Sequence, residues 1–139
     1  MVRRAVAEDP RLEVDDLELR RPGASYTVDT LRALRRREPS AEIFFLVGVD
    51  QVRELHTWRD PEEVARLACL AVLSRGGEQI PPAGRYRTLP VTVPRIDIAA
   101  TEIRARVAAG RSIRYLVPER VREYIESEGL YRRSGHRSG

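Results

Sequence analysis

The sequence predicts an α/β domain built on a parallel sheet. Two almost continuously apolar runs, Glu42–Val47 (EIFFLV) and Cys69–Leu73, read as strands covered on both faces, which is how strands of a parallel sheet look. Segments with helical spacing of apolar residues stand before, between and after them, so strands alternate with helices. A chain of 139 residues suffices for one domain with a real core and is short for two ordinary ones. The expected layout is a single domain over 1–132 followed by a polar tail at 133–139.

Met1–Glu8 reads as the end of a helix, with Val2, Ala5 and Val6 on one side. Leu12–Leu19 (LEVDDLEL) alternates as a strand does, with a phase slip at Asp15-Asp16 that reads as a bulge. Arg21-Pro22-Gly23 is a turn. A helix then runs from Thr27 to Arg37 with Val28, Leu31 and Leu34 on its buried face, and Pro39 ends the pattern. After the strand at Glu42–Val47, Gly48 and Asp50 lead into a short helical piece reaching Leu55. Asp60-Pro61-Glu62-Glu63 starts another helix, with Asp60 as the capping residue, Pro61 in the first turn and Val64, Leu67 and Ala68 facing inward. Gly76–Arg87 is a loop, and Leu89–Val93 a strand. Helices at Thr101–Ala109 and Pro118–Glu128 are closed by Gly110 and Gly129.

Charge and composition narrow the function. The net charge is +4 and the sequence pI near 9.8, yet the cations are all arginine, without lysine, a bias that codon choice in a GC-rich genome imposes. The arginines are interleaved with Asp and Glu, and the dense run Arg35-Arg36-Arg37 closes a helix where cations suit the dipole. This is a solvated surface, and no nucleic-acid partner is expected. No apolar run approaches the roughly 20 residues that cross a bilayer, so no membrane association is expected. The N-terminus lacks the pattern of a secretory signal, and the single Cys69 cannot form an internal disulfide. A reducing cytoplasmic compartment is expected.

Segments spread along the chain together resemble one family. Ser25-Tyr26-Thr27-Val28-Asp29-Thr30-Leu31 resembles the SYTxDTL segment of bacterial nicotinate-nucleotide adenylyltransferases. Phe45–Asp50 and the later Trp58 are similar to that family's strand, GxD and downstream Trp. Ile98–Arg104 resembles its ISSTxIR motif, and Gly110–Tyr131 its C-terminal signature. The resemblance implies a Rossmann-like parallel sheet of the nucleotidyltransferase type. It also implies transfer of AMP from ATP to nicotinate mononucleotide, giving deamido-NAD and pyrophosphate, with Mg²⁺ as cofactor.

The resemblance assigns roles residue by residue. Trp58 stacks on the nicotinate ring, and Thr27 and Arg59 meet the nicotinate carboxylate through their main chains. An aromatic face suits a flat heteroaromatic ring, and a helix start such as Thr27 is a natural anion site. Gly48 and Asp50 follow the carboxyl end of a buried strand, where α/β sheets place ligands; they are assigned to ATP, with Asp50 on a ribose hydroxyl. Ile98, Thr101 and Arg104 belong to the helix start that holds the ATP phosphates. Here Ala99 and Ala100 stand where the motif has serines, so two hydroxyl donors are lost and weaker phosphate binding is expected. Arg114 and Tyr115 are read chiefly as structural, and His56 and His136 receive no role.

The family's GxFDPxHxGH segment does not occur in these residues. A missing piece on the order of 60 residues, about two βα units, is expected ahead of them. The sheet is then N-terminally incomplete, no catalytic residue is identified, and this chain alone is expected to be inactive. With the family's strand order, the strand at Leu12–Leu19 would face an empty slot beside Glu42–Val47, so self-association through unpaired sheet edges is expected. The alternative is a non-catalytic remnant or nucleotide-binding module of the same fold.

Overall fold

The computed structural model describes residues 1–75 and 78–132. Gly76-Gly77 of the expected loop, the expected polar tail at 133–139 and His136 lie outside the described residues. In chain order the elements are helix α1 (Val2–Val6), α2 (Thr27–Arg37), strand β1 (Phe44–Gly48), α3 (Val49–Arg53), a 3-10 turn (Leu55–Thr57), α4 (Pro61–Leu67), β2 (Cys69–Arg75), β3 (Thr88–Val93), α5 (Ala100–Ala108) and α6 (Glu119–Ser127). They fall into two compact units, Asp16–Arg95 and Met1–Asp15 with Ile96–Gly139. The division at Asp15/Asp16 coincides with the phase slip in the sequence.

The Asp16–Arg95 unit holds a parallel three-stranded sheet in the order β1-β2-β3. Phe44 registers with Cys69, Leu46 with Ala71, and Ala71 with Leu89. Helices α2 and α4 meet through Val28, Leu31, Val64 and Ala68, all essentially inaccessible to solvent. Each buried Val or Leu of this kind contributes about 1.5–3 kcal/mol. A second cluster joins the sheet to α3 through Val47, Val49, Val52, Leu55, Leu70 and Val72. The end of α2 is held by Arg35, whose guanidinium donates to the carbonyls of Pro39, Ala41 and Leu67.

Three expectations are corrected. Leu12–Leu19 forms no strand: the N–H groups of Leu19 and Arg20 turn back onto the Asp16 carbonyl, and Leu12 and Leu19 are 54% and 89% exposed. Alternation without a neighbouring ladder does not make a strand. The run at Glu42–Val47 is covered on one face only, because Phe45 and Val47 point into the core while Phe44 and Leu46 are 48% and 63% exposed at the sheet's edge. Asp60 occupies the capping position of α4 but makes no side-chain cap; its carboxylate binds Arg32 instead.

In the other unit, Ile103 of α5, Ile113, and Val121 and Ile125 of α6 form a small core. Helix α1 lies against α6, with Arg4 over the Tyr124 ring at 4.7 Å and Arg120 bonded to Glu8 at 2.9 Å. Arg122 binds both Glu119 and Glu126 and holds the Glu119 carboxyl below its usual range. Helices α5 and α6 are closed by glycines in the left-handed region, Gly110 at φ +66° and Gly129 at φ +61°, where a Cβ would be strained. Tyr115, expected to serve structure, stands 87% exposed at φ +66°. No helix of the described residues is long and apolar enough to cross a membrane.

Candidate functional site

The start of α2 is fixed by the chain that precedes it. Thr30 donates to the Glu18 carboxylate at 2.6 Å, and Ser25 donates to the Glu18 carbonyl at 3.3 Å. Tyr26 is the residue before the helix, in extended conformation, and no side chain caps the helix's leading N–H groups. Those N–H groups carry the positive end of the helix dipole at Thr27.

Facing this start is the segment that leaves the 3-10 turn. The Thr57 hydroxyl donates to the Glu54 carbonyl at 2.7 Å, and the Trp58 N–H to the Leu55 carbonyl at 3.2 Å. The Tyr86 hydroxyl reaches the same Leu55 carbonyl at 3.5 Å, and burial raises its pKa. The half-buried Trp58 ring meets Phe45 edge to face, with centroids 5.9 Å apart and planes at 86°. One face of an indole so held can serve as a stacking platform. Asp60 follows at φ +50°, a left-handed conformation uncommon for a residue with a side chain. Arg32 of α2 grips the Asp60 carboxylate and also lies near Asp29 at 3.5 Å and Glu63 at 3.6 Å. It thereby ties α2 to the backbone just after Trp58.

The result is a pocket of about 480 Å³ lined by Ser25, Tyr26, Thr27, Thr57, Trp58 and Arg59. The structure thus brings together Thr27, Trp58 and Arg59, the residues read from sequence as the substrate side. It adds Ser25, Tyr26 and Thr57. Tyr26 and Ser25 lay in the recognised SYT segment, whereas Thr57 carried no signal. The Arg59 guanidinium lies over the Tyr26 ring, 4.5 Å from its centroid.

Gly48 and Asp50 sit where β1 runs into α3, in the same unit but outside that pocket's lining. The Gly48 N–H donates to the Gln51 side chain at 3.0 Å, and the 94%-exposed Asp50 carboxylate accepts from Arg53 at 2.7 Å. Ile98, Thr101 and Arg104 belong to the other unit. There α5 begins after Ala99, which is extended and has no side-chain oxygen to cap the helix. Ile98 and Arg104 line a mainly apolar pocket of about 340 Å³ with Ile103, Val121 and Ile125, and Thr101 is exposed beside it. Among the described residues no group of three or more His, Cys, Asp or Glu side chains is placed to hold a metal ion.

Comparison with known proteins gives the pocket its context. The family model described as cytidylyltransferase-like matches residues 1–106. A probable nicotinate-nucleotide adenylyltransferase of Thermus thermophilus is 49% identical over 128 residues, which are 92% of this chain and 68% of that protein. Its counterpart in Thermomicrobium roseum is 45% identical over 140 residues, covering 95% of this chain and 65% of the relative. The chain therefore spans about two thirds of the length of the relatives it matches. The solved structure of Plasmodium falciparum nicotinic acid mononucleotide adenylyltransferase complexed with APC superposes with a TM-score of 0.66 at 19% identity, over 86% of this chain and 64% of that one. That likeness shows the fold: a Rossmann-like arrangement of the nucleotidyltransferase type. By the extent of the family match and the identity to these relatives, the chain belongs to the cytidylyltransferase-like family and, within it, to the nicotinate-nucleotide adenylyltransferases.

Proposed function

We propose that this chain carries the nicotinate-recognition part of an enzyme that transfers AMP from ATP to nicotinate mononucleotide. In that reaction a phosphate oxygen of the mononucleotide attacks the α-phosphorus of ATP. The new P–O bond forms as the bond to the β-phosphate oxygen breaks, giving deamido-NAD and pyrophosphate. The attacking group is already an anionic phosphate, so no base is needed. The protein positions the reactants and stabilises charge.

The observation that carries this reading is the pocket in which a supported indole, Trp58, faces an uncapped helix start, Thr27. The pyridine ring stacks on Trp58, and the N–H groups of Thr27 and Arg59 donate to its carboxylate. Gly48 and Asp50 serve the ATP side, with Asp50 accepting from a ribose hydroxyl. The start of α5, with Ile98, Thr101 and Arg104, takes ATP phosphates through N–H groups and the arginine. No group of three or more acids, His or Cys among the described residues is placed as a metal cage; Mg²⁺ would come in on the substrate phosphates with one or two carboxylates and would neutralise charge there.

These 139 residues contain no GxFDPxHxGH histidines to meet the phosphates. The purified 139-residue chain is therefore expected to bind nicotinate mononucleotide without forming deamido-NAD. Calorimetry with the mononucleotide, beside an assay for deamido-NAD, tests both halves. A cooperatively folded chain that takes up no mononucleotide contradicts the pocket, and turnover contradicts the assignment of chemistry. The bare Ala99 cap favours a second reading, a nucleotide-binding module without catalysis. It predicts ATP binding but no turnover even where the histidine segment is supplied.

Exposed Phe44 and Leu46 on edge strand β1 support self-association through the sheet edge. Sedimentation is expected to show oligomers that Leu46→Glu reduces; a monomer at all concentrations contradicts this. The free, buried thiol of Cys69 suits a reducing compartment, and the cytoplasm is the proposed location.

A further inference from the structure

Two arginines, Arg32 behind the pocket and Arg59 in its lining, differ in what they face. Arg32 is shared among Asp29, Asp60 and Glu63, and Glu63 also pairs with Arg66, so each acid behind the pocket already has a guanidinium partner. Arg59 has no carboxylate partner among the described residues; its guanidinium rests on the ring of Tyr26. Both Tyr26 and Arg59 line the pocket, one on each side of the gap between the start of α2 and the segment after the 3-10 turn. The mouth therefore offers a guanidinium that no carboxylate of the described residues occupies.

The planarity of the guanidinium matters. Its face is occupied by the Tyr26 ring, an attraction between cation and π-system that parks an otherwise mobile side chain. Its N–H groups lie in the plane, at the edge, and remain free to donate to an acceptor in the pocket. A fork of in-plane donors fits two carboxylate oxygens better than a carboxamide, which offers one oxygen and presents N–H against N–H. Backbone N–H groups at Thr27 and Arg59 can donate to the oxygen of either group, and so discriminate less.

We propose that the stacked Tyr26–Arg59 pair is the element that selects a pyridine carboxylate over the corresponding carboxamide. The proposal rests on the reading that this pocket receives the pyridine ring, and it adds a role for the arginine side chain. The Tyr26 ring is a positioning group and Arg59 the discriminating contact. Because the interaction is one of charge at an exposed site, salt screens it.

Trp58 is the only tryptophan, so its fluorescence reports on the pocket directly. Dissociation constants for nicotinate mononucleotide and nicotinamide mononucleotide are measured by Trp58 quenching with the 139-residue chain and with Arg59→Gln, Arg59→Lys and Tyr26→Leu. Wild type is expected to prefer the acid. Arg59→Gln is expected to weaken acid binding about tenfold, the scale of one charge-assisted hydrogen bond, and to leave the amide unchanged. Arg59→Lys restores part of the preference, and Tyr26→Leu loses part of it. Rising salt narrows the wild-type preference and leaves that of Arg59→Gln unmoved. An unchanged acid-to-amide ratio in Arg59→Gln, or equal loss of both ligands, overturns the proposal. If the folded wild type responds to neither nucleotide, the pocket assignment itself falls and this proposal with it.

Discussion

Helices α2 and α5 start in the same way and in different surroundings. Each begins after an extended residue with no side-chain cap, Tyr26 in one and Ala99 in the other. Each therefore presents unpaired N–H groups and the positive end of a dipole. The start of α2 is hemmed in: Thr30 is bonded to Glu18, Arg32 grips Asp60, and Trp58 stands on Phe45. The start of α5 is bare, with exposed residues at 98–102 and a single buried side chain, Ile103, in the helix. The dipole is common to both, so the fixed groups around the start of α2 are what set the proposed nicotinate pocket apart from the proposed phosphate site at α5. A site ordered in advance loses less freedom when its ligand arrives.

The sharpest way to break this comparison is at Trp58. Trp58→Ala is expected to weaken nicotinate mononucleotide binding by about 2 kcal/mol, roughly 30-fold, the scale of one ring–aromatic stack. Trp58→Phe is expected to recover most of that loss, and neither variant should change ATP affinity in calorimetry. A smaller effect in the opposite direction is expected at α5. Ala99→Ser supplies the missing cap and should stabilise the protein by about 1 kcal/mol. It should raise the melting temperature by a few degrees and tighten ATP binding, without changing affinity for the mononucleotide. The smallest effect is expected at Arg32, whose ion pairs are half exposed. Arg32→Met frees Asp60 and loosens the spacing between α2 and Trp58, so mononucleotide affinity should fall a few-fold while ATP affinity holds. Equal effects on both ligands would erase the distinction between the two helix starts.

What was legible in the sequence was mostly local. The bounds of α2 at Thr27 and Arg37 follow from its apolar spacing and from Pro39, and Gly110 and Gly129 mark helix ends because only glycine rests easily at their φ. Features set by distant partners were not legible. The alternation at Leu12–Leu19 says nothing of whether a neighbouring strand exists, and the N–H groups there close a turn on Asp16. Phe44 and Leu46 read as buried because an apolar run looks the same in a covered strand and at an edge. Asp60 has the local pattern of a cap, but Arg32, 28 residues earlier, takes its carboxylate. In the lining of the candidate pocket, Thr27, Trp58 and Arg59 are the residues the family resemblance named. The stacking of Arg59 on Tyr26 depends on two segments meeting in space, and spacing along the chain does not show it.

On the proposed function, the nicotinate end of the mononucleotide lies between the start of α2 and Trp58. Amide and indole resonances of the isotopically labelled chain, followed by NMR during titration with nicotinate mononucleotide, test this most directly. Saturable shifts are expected, largest at the Thr27 and Arg59 N–H groups and the Trp58 indole, with α5 unmoved. Shifts concentrated at residues 98–104, with Thr27, Trp58 and Arg59 unchanged, would contradict it.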